Sequence, residues 1–265
     1  MRCGVVLVFL SLSAGLVAGD WNLLSYITSK GEDESYNYHR SGNVGYGLRD
    51  YCEAWRMNVE LNNIRGFEVV PGECTGHVGH YMTSTQYEVD LHLAADVVSL
   101  FLADEFVLAG DGKDAWVFDV DDVLLSTVPY YKSHQFGGTK LDKKSFEAWM
   151  LEASAPAIEQ MRPLFHKIRR RGLKVFILSS RAERLREATI NNLISVGYHG
   201  WTDLILRSEK EENSCAEEYK AKERSKLAHE GYRLWGIVGS QWSSLGGYTT
   251  ARRIFKLPNP MYYEY

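Results

Sequence analysis

The sequence predicts an α/β fold: a three-layer αβα, Rossmann-like parallel sheet, with a helical segment ahead of it and a small cap inserted after the first strand. Three observations carry that expectation. Short apolar runs, AWVFDV (115–120), KVFILSS (174–180), DLILRS (203–208) and RLWGIVGS (233–240), alternate with helix-like stretches near 155–171, 182–196 and 215–230. Gly172, Gly197 and Gly231 stand where those helices need a C-terminal cap. The runs are bluntly apolar, as strands are when helices cover a parallel sheet on both faces.

Residues 1–19 read as a signal peptide. Met1-Arg2 gives a positive end, Val5 to Val17 is apolar, and Val17-Ala18-Gly19 offers small residues before the first acid, Asp20. That run falls short of the roughly 20 apolar residues a membrane span needs. No later stretch reads as a span, so no membrane anchor is expected and the mature chain is assigned to the secretory pathway, extracellular or vacuolar. Residues 20–47, rich in Ser, Gly, Tyr and Asn, read as an extended or poorly ordered arm. A single domain is expected over 48–265. Its helical part, 48–110, holds helices over 50–63 and about 83–109, the second with Tyr87, Leu91, Ala94, Val98 and Leu102 at three- and four-residue steps. Residues 126–155, with Pro129-Tyr130-Tyr131 and Phe146-Glu147-Ala148-Trp149, interrupt the alternation and read as the small cap over the sheet's edge.

Formal charge is −4, and −5 once Arg2, the one charge in residues 1–19, is removed. Nothing in that balance draws the chain to nucleic acid. The basic cluster Lys167-Ile168-Arg169-Arg170-Arg171 reads as cations at a helix C-terminus, with an anion-docking patch as the alternative. Of four cysteines, Cys3 leaves with residues 1–19. One disulfide and one free thiol is then the simplest arithmetic; Cys52 and Cys74 are the preferred pair because both lie in the N-terminal segment, which leaves Cys215.

Chemistry in open α/β sheets collects beyond the carboxyl ends of the strands. After the first run comes Asp119-Val120-Asp121-Asp122. Crowded carboxylates raise one another's pKa, so a cation or a mixed protonation state must compensate, unless the segment is only a solvated turn. The pattern suits phosphoryl transfer: Asp119 attacks phosphorus and carries a phosphoaspartyl intermediate, while Asp121 protonates the leaving oxygen and later deprotonates water. Ser179-Ser180-Arg181 follows the second run and is expected to open a helix, as a phosphate cradle or simply as an N-cap. Lys220 either neutralises developing charge or belongs to a solvated helix face. The last run ends in WGIVGSQWSSLGG (235–247), where Mg²⁺ would want carboxylates and the chain has Ser240, Ser243 and Ser244. No histidine nucleophile motif and no G-x-S-x-G elbow point to another hydrolase class.

On YCEAWRMNVELNNIRGFEVVPGEC (51–74), VGHYM (78–82), LAGDGKDAWVFDVDD (108–122), VPYY (128–131), GYRLWGIVG and FKLPNPMYY (255–263), the chain resembles the plant acid phosphatase and vegetative storage protein family. That family is a class B branch of the haloacid dehalogenase-like superfamily. The resemblance implies a nucleophile at Asp119, an acid–base at Asp121, phosphate binding at Ser179, to which the cradle reading adds Ser180, a charge-stabilising Lys220, and acids after the last strand for Mg²⁺. The family tip resembles G-D-Q-W-S-D, whereas here it is Gly239-Ser240-Gln241-Trp242-Ser243-Ser244, and residues 231–263 contain no acid. Mg²⁺ would keep only the Asp119 carboxylate and the Asp121 backbone carbonyl, and an uncompensated acid cluster would tend to bind a proton. The expected function is phosphomonoester hydrolysis, impaired at the metal. The alternative is a weak or inactive vegetative storage or binding protein on the same fold. The implied partner is a small phosphomonoester, with no nucleic acid and no membrane; a homodimer stays open.

Overall fold

Successive side chains of a strand point to opposite faces, so a strand covered on both sides needs apolar residues at every position. After the buried Asp114, β1 (Asp114–Phe118) meets that demand: Trp116 and Phe118 enter one core, Ala115 and Val117 the other. β2 (Lys174–Ala182) divides the same way, Val175 and Ile177 joining Trp116 while Phe176 and Leu178 join Val117. With β3 (Asp203–Arg207), β4 (Arg233–Gly239) and β5 (Arg253–Lys256) they form a sheet in the order β3-β2-β1-β4-β5, every neighbouring pair parallel. This computed structural model describes residues 47–212, 214–248 and 251–264. The signal peptide and all but Gly47 of the arm lie outside the described residues.

Ahead of the sheet come α1 (Leu48–Glu60), α2 (Thr75–Met82) and α3 (Thr85–Asp104). α4 (Val128–Ser133) and α5 (Lys143–Leu151) follow β1, and α6 (Met161–Arg170) precedes β2. α7 (Arg186–Ser195), α8 (Ala216–His229) and the short α9 (Trp242–Leu245) complete the helices. α3 and α6 cover one face through Leu91, Val98, Leu102, Leu164, Phe165 and Ile168. Tyr219 and Leu227 of α8, with Leu245, cover the other. The layering is therefore αβα, as the strand pattern predicts.

Some details depart from expectation. The buried stripe of α3 runs through Ala95 rather than Ala94, because steps of four, three and four from Leu91 keep one face. The fifth strand, RIFK, escaped notice: it is short, and its first two positions, Arg253 and Ile254, are exposed. Gly172, Gly197 and Gly231 take φ of +89°, +95° and +88° just past their helices, a conformation that a Cβ disfavours. Lys167, Arg169 and Arg170 occupy the last turn of α6. Cys52 and Cys74 form a disulfide, tying α1 to the turn before α2 across 5.2 Å between Cα atoms. Cys215 is disulfide-bonded as well, which corrects the free thiol expected there. That expectation came only from an odd count once the first 19 residues were set aside.

Candidate active site

The carboxyl ends of β1, β2 and β4 open on one cavity of about 280 Å³. Asp119, Asp121, Ser179, Ser180, Lys220 and Ser240 line it, with Tyr131, Phe146 and Tyr262 forming an aromatic wall. Segments far apart in the chain meet here because parallel strands all end on the same side of the sheet.

Asp119, only 6% exposed, sits at the cavity floor. Its Oδ1 accepts from the Val120 amide at 2.7 Å, and its Oδ2 accepts from Lys220 Nζ at 2.8 Å and Ser244 Oγ at 2.5 Å. Burial raises the Asp119 pKa; the Lys220 charge opposes that rise and the nearby Glu264 adds to it. Lys220 itself is buried on α8. Burial works to lower its pKa, but Asp119 and Glu264 outweigh that and raise it, so the ammonium is secure. The solvated helix face that composition allowed is thus ruled out for Lys220, since two carboxylates hold it inside.

The other two acids have separate partners. Arg181 lies across both oxygens of Asp121, with Nη2 at 2.8 Å and Nε at 3.1 Å, and is steadied by Thr189 Oγ1 at 3.1 Å. Asp122, at φ 53°, turns inward and accepts only from neutral donors. These are the Thr127 amide and hydroxyl at 2.8 and 2.5 Å, Asn259 Nδ2 at 3.0 Å and the Tyr262 hydroxyl at 2.9 Å. Burial pushes the Asp122 pKa up to about 6 against the pull of the Thr127 donors. Asp119 and Asp121 each face a cation while the donors to Asp122 are neutral, and burial raises the pKa of both Asp119 and Asp122, the direction expected of a crowded acid cluster.

Ser179 is buried, and its Oγ accepts from the Arg181 amide at 3.3 Å. Ser180 Oγ accepts from Arg207 Nη2 at 3.3 Å and hydrogen-bonds Glu264. Neither serine opens a helix. β2 continues to Ala182, a 3-10 turn spans Glu183–Leu185, and α7 begins only at Arg186. Both the N-cap reading and the helix-terminus amides fall with that correction.

At the tip of β4, Ser240, Ser243 and Ser244 are all buried. Ser240 Oγ donates to the Asp121 backbone carbonyl at 2.7 Å, Ser244 Oγ to Asp119 Oδ2, and Ser243 Oγ to Glu264 Oε2 at 2.8 Å. The two groups that the resemblance offers to Mg²⁺, the Asp119 carboxylate and the Asp121 carbonyl, thus each accept a serine hydroxyl. Among the described residues no three His, Cys, Asp or Glu side chains are grouped to hold a metal ion. Arg224 of α8, fully buried, fixes this loop by donating to the carbonyls of Ser244, at 2.9 Å, and Gly246.

Sequence reasoning missed Glu264, Arg207 and Asn259, and gave Arg181 no role. Glu264 had a usable signal: it is the first acid after the acid-free stretch 231–263. The others act through contacts that only folding creates.

Sheet order and site together define a haloacid dehalogenase-like α/β protein. The chain belongs to the acid phosphatase family described as HAD superfamily, subfamily IIIB, which matches residues 42–265. It is 39% identical to Acid phosphatase 1 of Solanum lycopersicum over 218 residues, 82% of this chain and 85% of that protein. It is 37% identical to a stem 28 kDa glycoprotein of Glycine max, covering 83% and 88% of the two chains. With Vegetative storage protein 1 of Arabidopsis thaliana it shares 35% identity over 80% and 78%. A class C acid phosphatase from Bacillus anthracis with tungstate bound superposes at a TM-score of 0.60, covering 71% of this chain and 84% of that one at 18% identity. That last likeness speaks to the fold alone.

Proposed function

We propose that the chain is an acid phosphatase-like phosphomonoester hydrolase acting through Asp119, and that it works slowly. The observation that carries this reading is the Asp119 carboxylate, buried at the floor of the cavity and held by Lys220 at 2.8 Å. An Asp119 oxygen bonds to phosphorus as the ester P–O bond breaks, and the leaving oxygen takes a proton from Asp121. Water, giving a proton back to Asp121, then attacks the phosphoaspartate to release orthophosphate and restore Asp119. Lys220 offsets the charge that builds on the transferring group.

Three features slow these steps. The raised Asp119 pKa leaves more of the nucleophile protonated in acid. Arg181 donates to both oxygens of Asp121, so the carboxyl that must deliver the proton is held by a cation. The residues at the β4 tip do not fit Mg²⁺, because neutral hydroxyls that already donate to Asp119 and to the Asp121 carbonyl stand where carboxylates would be needed. No step is therefore assigned to a metal.

A storage or binding role on the phosphatase fold is the second reading. The serines at 240 and 244 favour it, and so does the likeness to proteins named for vegetative storage. For either role we place the chain in the secretory pathway, on the apolar run before Asp20 and on the Cys52–Cys74 disulfide. No helix among the described residues is long and apolar enough to cross a membrane. The division into signal peptide, arm, and a 48–265 domain with its cap at 126–155 belongs to the same proposal.

The test is p-nitrophenyl phosphate hydrolysis across about pH 4 to 7, the range in which carboxyl acid–base chemistry operates. Slow turnover by the wild type that disappears in Asp119→Asn is the expected result. Equal rates for the two proteins would remove the hydrolase reading and leave the storage or binding role.

A further inference from the structure

The last described residues, Tyr262, Tyr263 and Glu264, line the candidate active site. After β5, the segment from Leu257 onward runs to that cavity as a strap with regular anchors. The Leu257 amide donates to the Gly239 carbonyl at 2.9 Å, Asn259 reaches Asp122, and Tyr262 stacks on Tyr131 at 5.0 Å while its hydroxyl also reaches Asp122. Gly137 gives the strap room at Met261: a Cβ there would come within 1.9 Å of the Met261 carbonyl oxygen. Gln241 then clasps the end from both sides, donating through Nε2 to the Tyr262 carbonyl at 3.0 Å and accepting the Glu264 amide on Oε1 at 3.1 Å.

This clasp delivers the Glu264 side chain into the cavity. Its Oε2 accepts from Lys220 Nζ at 2.8 Å and from Ser243 Oγ at 2.8 Å, and the carboxylate also bonds Ser180. Arg207, which donates to Ser180, adds its positive charge from behind. Lys220 and Ser180 are among the groups assigned above to phosphate and its developing charge. A carboxylate is a planar anion with hydrogen-bond acceptors on two oxygens, so it can use the same donors as a phosphate oxygen.

We propose that Glu264 is an internal competitor for the phosphate seat: its carboxylate takes the Lys220, Ser180 and Ser243 donors, so that phosphate or a phosphomonoester binds only when the strap end lifts away. This inference rests on the phosphoryl-transfer reading for the identity of the seat, and it reaches beyond it to how the seat is controlled. The plug is built to be released. Glu264 is 27% exposed, unlike the buried Lys220 and Asp119, and among the described residues its backbone is held by the clasp from Gln241. Lys220 keeps Asp119 as a partner when Glu264 leaves, so opening strands no buried cation. Burial works to raise the Glu264 pKa, but the Lys220 cation and the Ser180 hydroxyl hold it well below the usual range, so mild acid leaves the competitor charged.

The experiment is calorimetric titration of inorganic phosphate into the wild type, Glu264→Gln, and a chain ending at Tyr263, each first shown to unfold cooperatively. Gln keeps the shape and removes the charge; truncation removes the occupant. If Glu264 fills the seat nine-tenths of the time, both variants bind orthophosphate about tenfold more tightly than the wild type. Unchanged or weaker binding in both variants overturns the proposal. p-Nitrophenyl phosphate turnover, measured alongside, separates the two readings. Tighter phosphate binding without turnover in any form upholds the competitor and removes the hydrolase. Asp119-dependent turnover with phosphate binding indifferent to Glu264 upholds the hydrolase and overturns the competitor.

Discussion

The carboxyl end of β1 brings Asp119, Asp121 and Asp122 into the site, and the carboxyl end of β4, its neighbour in the sheet, brings Ser240, Ser243 and Ser244. Each acid needs donors, and each serine donates: to Asp119, to the carbonyl of Asp121, and to Glu264. The balance of charge comes from elsewhere. Lys220 on α8, Arg181 at the end of β2 and Arg207 at the end of β3 stand against Asp119, Asp121 and Glu264. Asp122, with neutral partners and a pKa of about 6, is the one acid without a cation. Aspartates at 240 and 244 would add two charges for a dication to offset. With serines there, the protein's own cations and hydroxyls close the site electrically. The difference between the two tips teaches that the donors one strand tip supplies set what the acids of the neighbouring tip require.

The largest predicted effect follows from removing the cation that serves both. Lys220→Met leaves the buried Asp119 without its cation and should cost about 3–5 kcal/mol in denaturant unfolding at neutral pH, as breaking a buried ion pair does. The loss should shrink in acid, where a carboxyl can take a proton. A destabilisation that stayed small at every pH would mean that the serine hydroxyls alone can hold Asp119.

A smaller effect isolates the neutral-donor corner of the β1 tip. Asp122 has a folded pKa of about 6 against an ordinary 3.8. Its contribution to stability is therefore fully present below pH 3.8 and is lost as pH rises through about 6. Asp122→Asn copies the protonated form, so the wild type should lose on the order of 2–3 kcal/mol relative to this variant between acid and neutral pH. Thermal melts of both proteins across that range measure it; parallel curves would show that Asp122 stays charged in the fold.

Much of the architecture was legible before folding. Alternating cores could be read from AWVF and KVFIL, because every position of a doubly covered strand is apolar. RIFK could not be read, since an edge strand of four residues with exposed arginine carries little pattern. Asp119 and Asp121 stood out as acids behind an apolar run. Lys220 did not, because α8 hides Lys220, Glu223 and Arg224 inside while its sequence looks like a solvated face. Arg181 pairs with Asp121 across 60 residues and Glu264 with Lys220 across 44, separations that no local pattern encodes. The Ser179 helix was misplaced for a local reason: β2 continues through polar Ser179-Ser180-Arg181 to Ala182, where hydroxyls suggested the opening of a helix.

The central claim, that hydroxyls at the β4 tip stand in for a metal, is tested most directly by titrating Mg²⁺ into the wild type and into Ser240→Asp/Ser244→Asp by calorimetry. The account predicts no saturable Mg²⁺ binding to the wild type and one site in the double variant, with p-nitrophenyl phosphate turnover rising about 10²–10³-fold once it is filled, the scale of one lost electrostatic stabiliser. Stoichiometric Mg²⁺ binding to the wild type, with turnover that depends on it, would contradict the account.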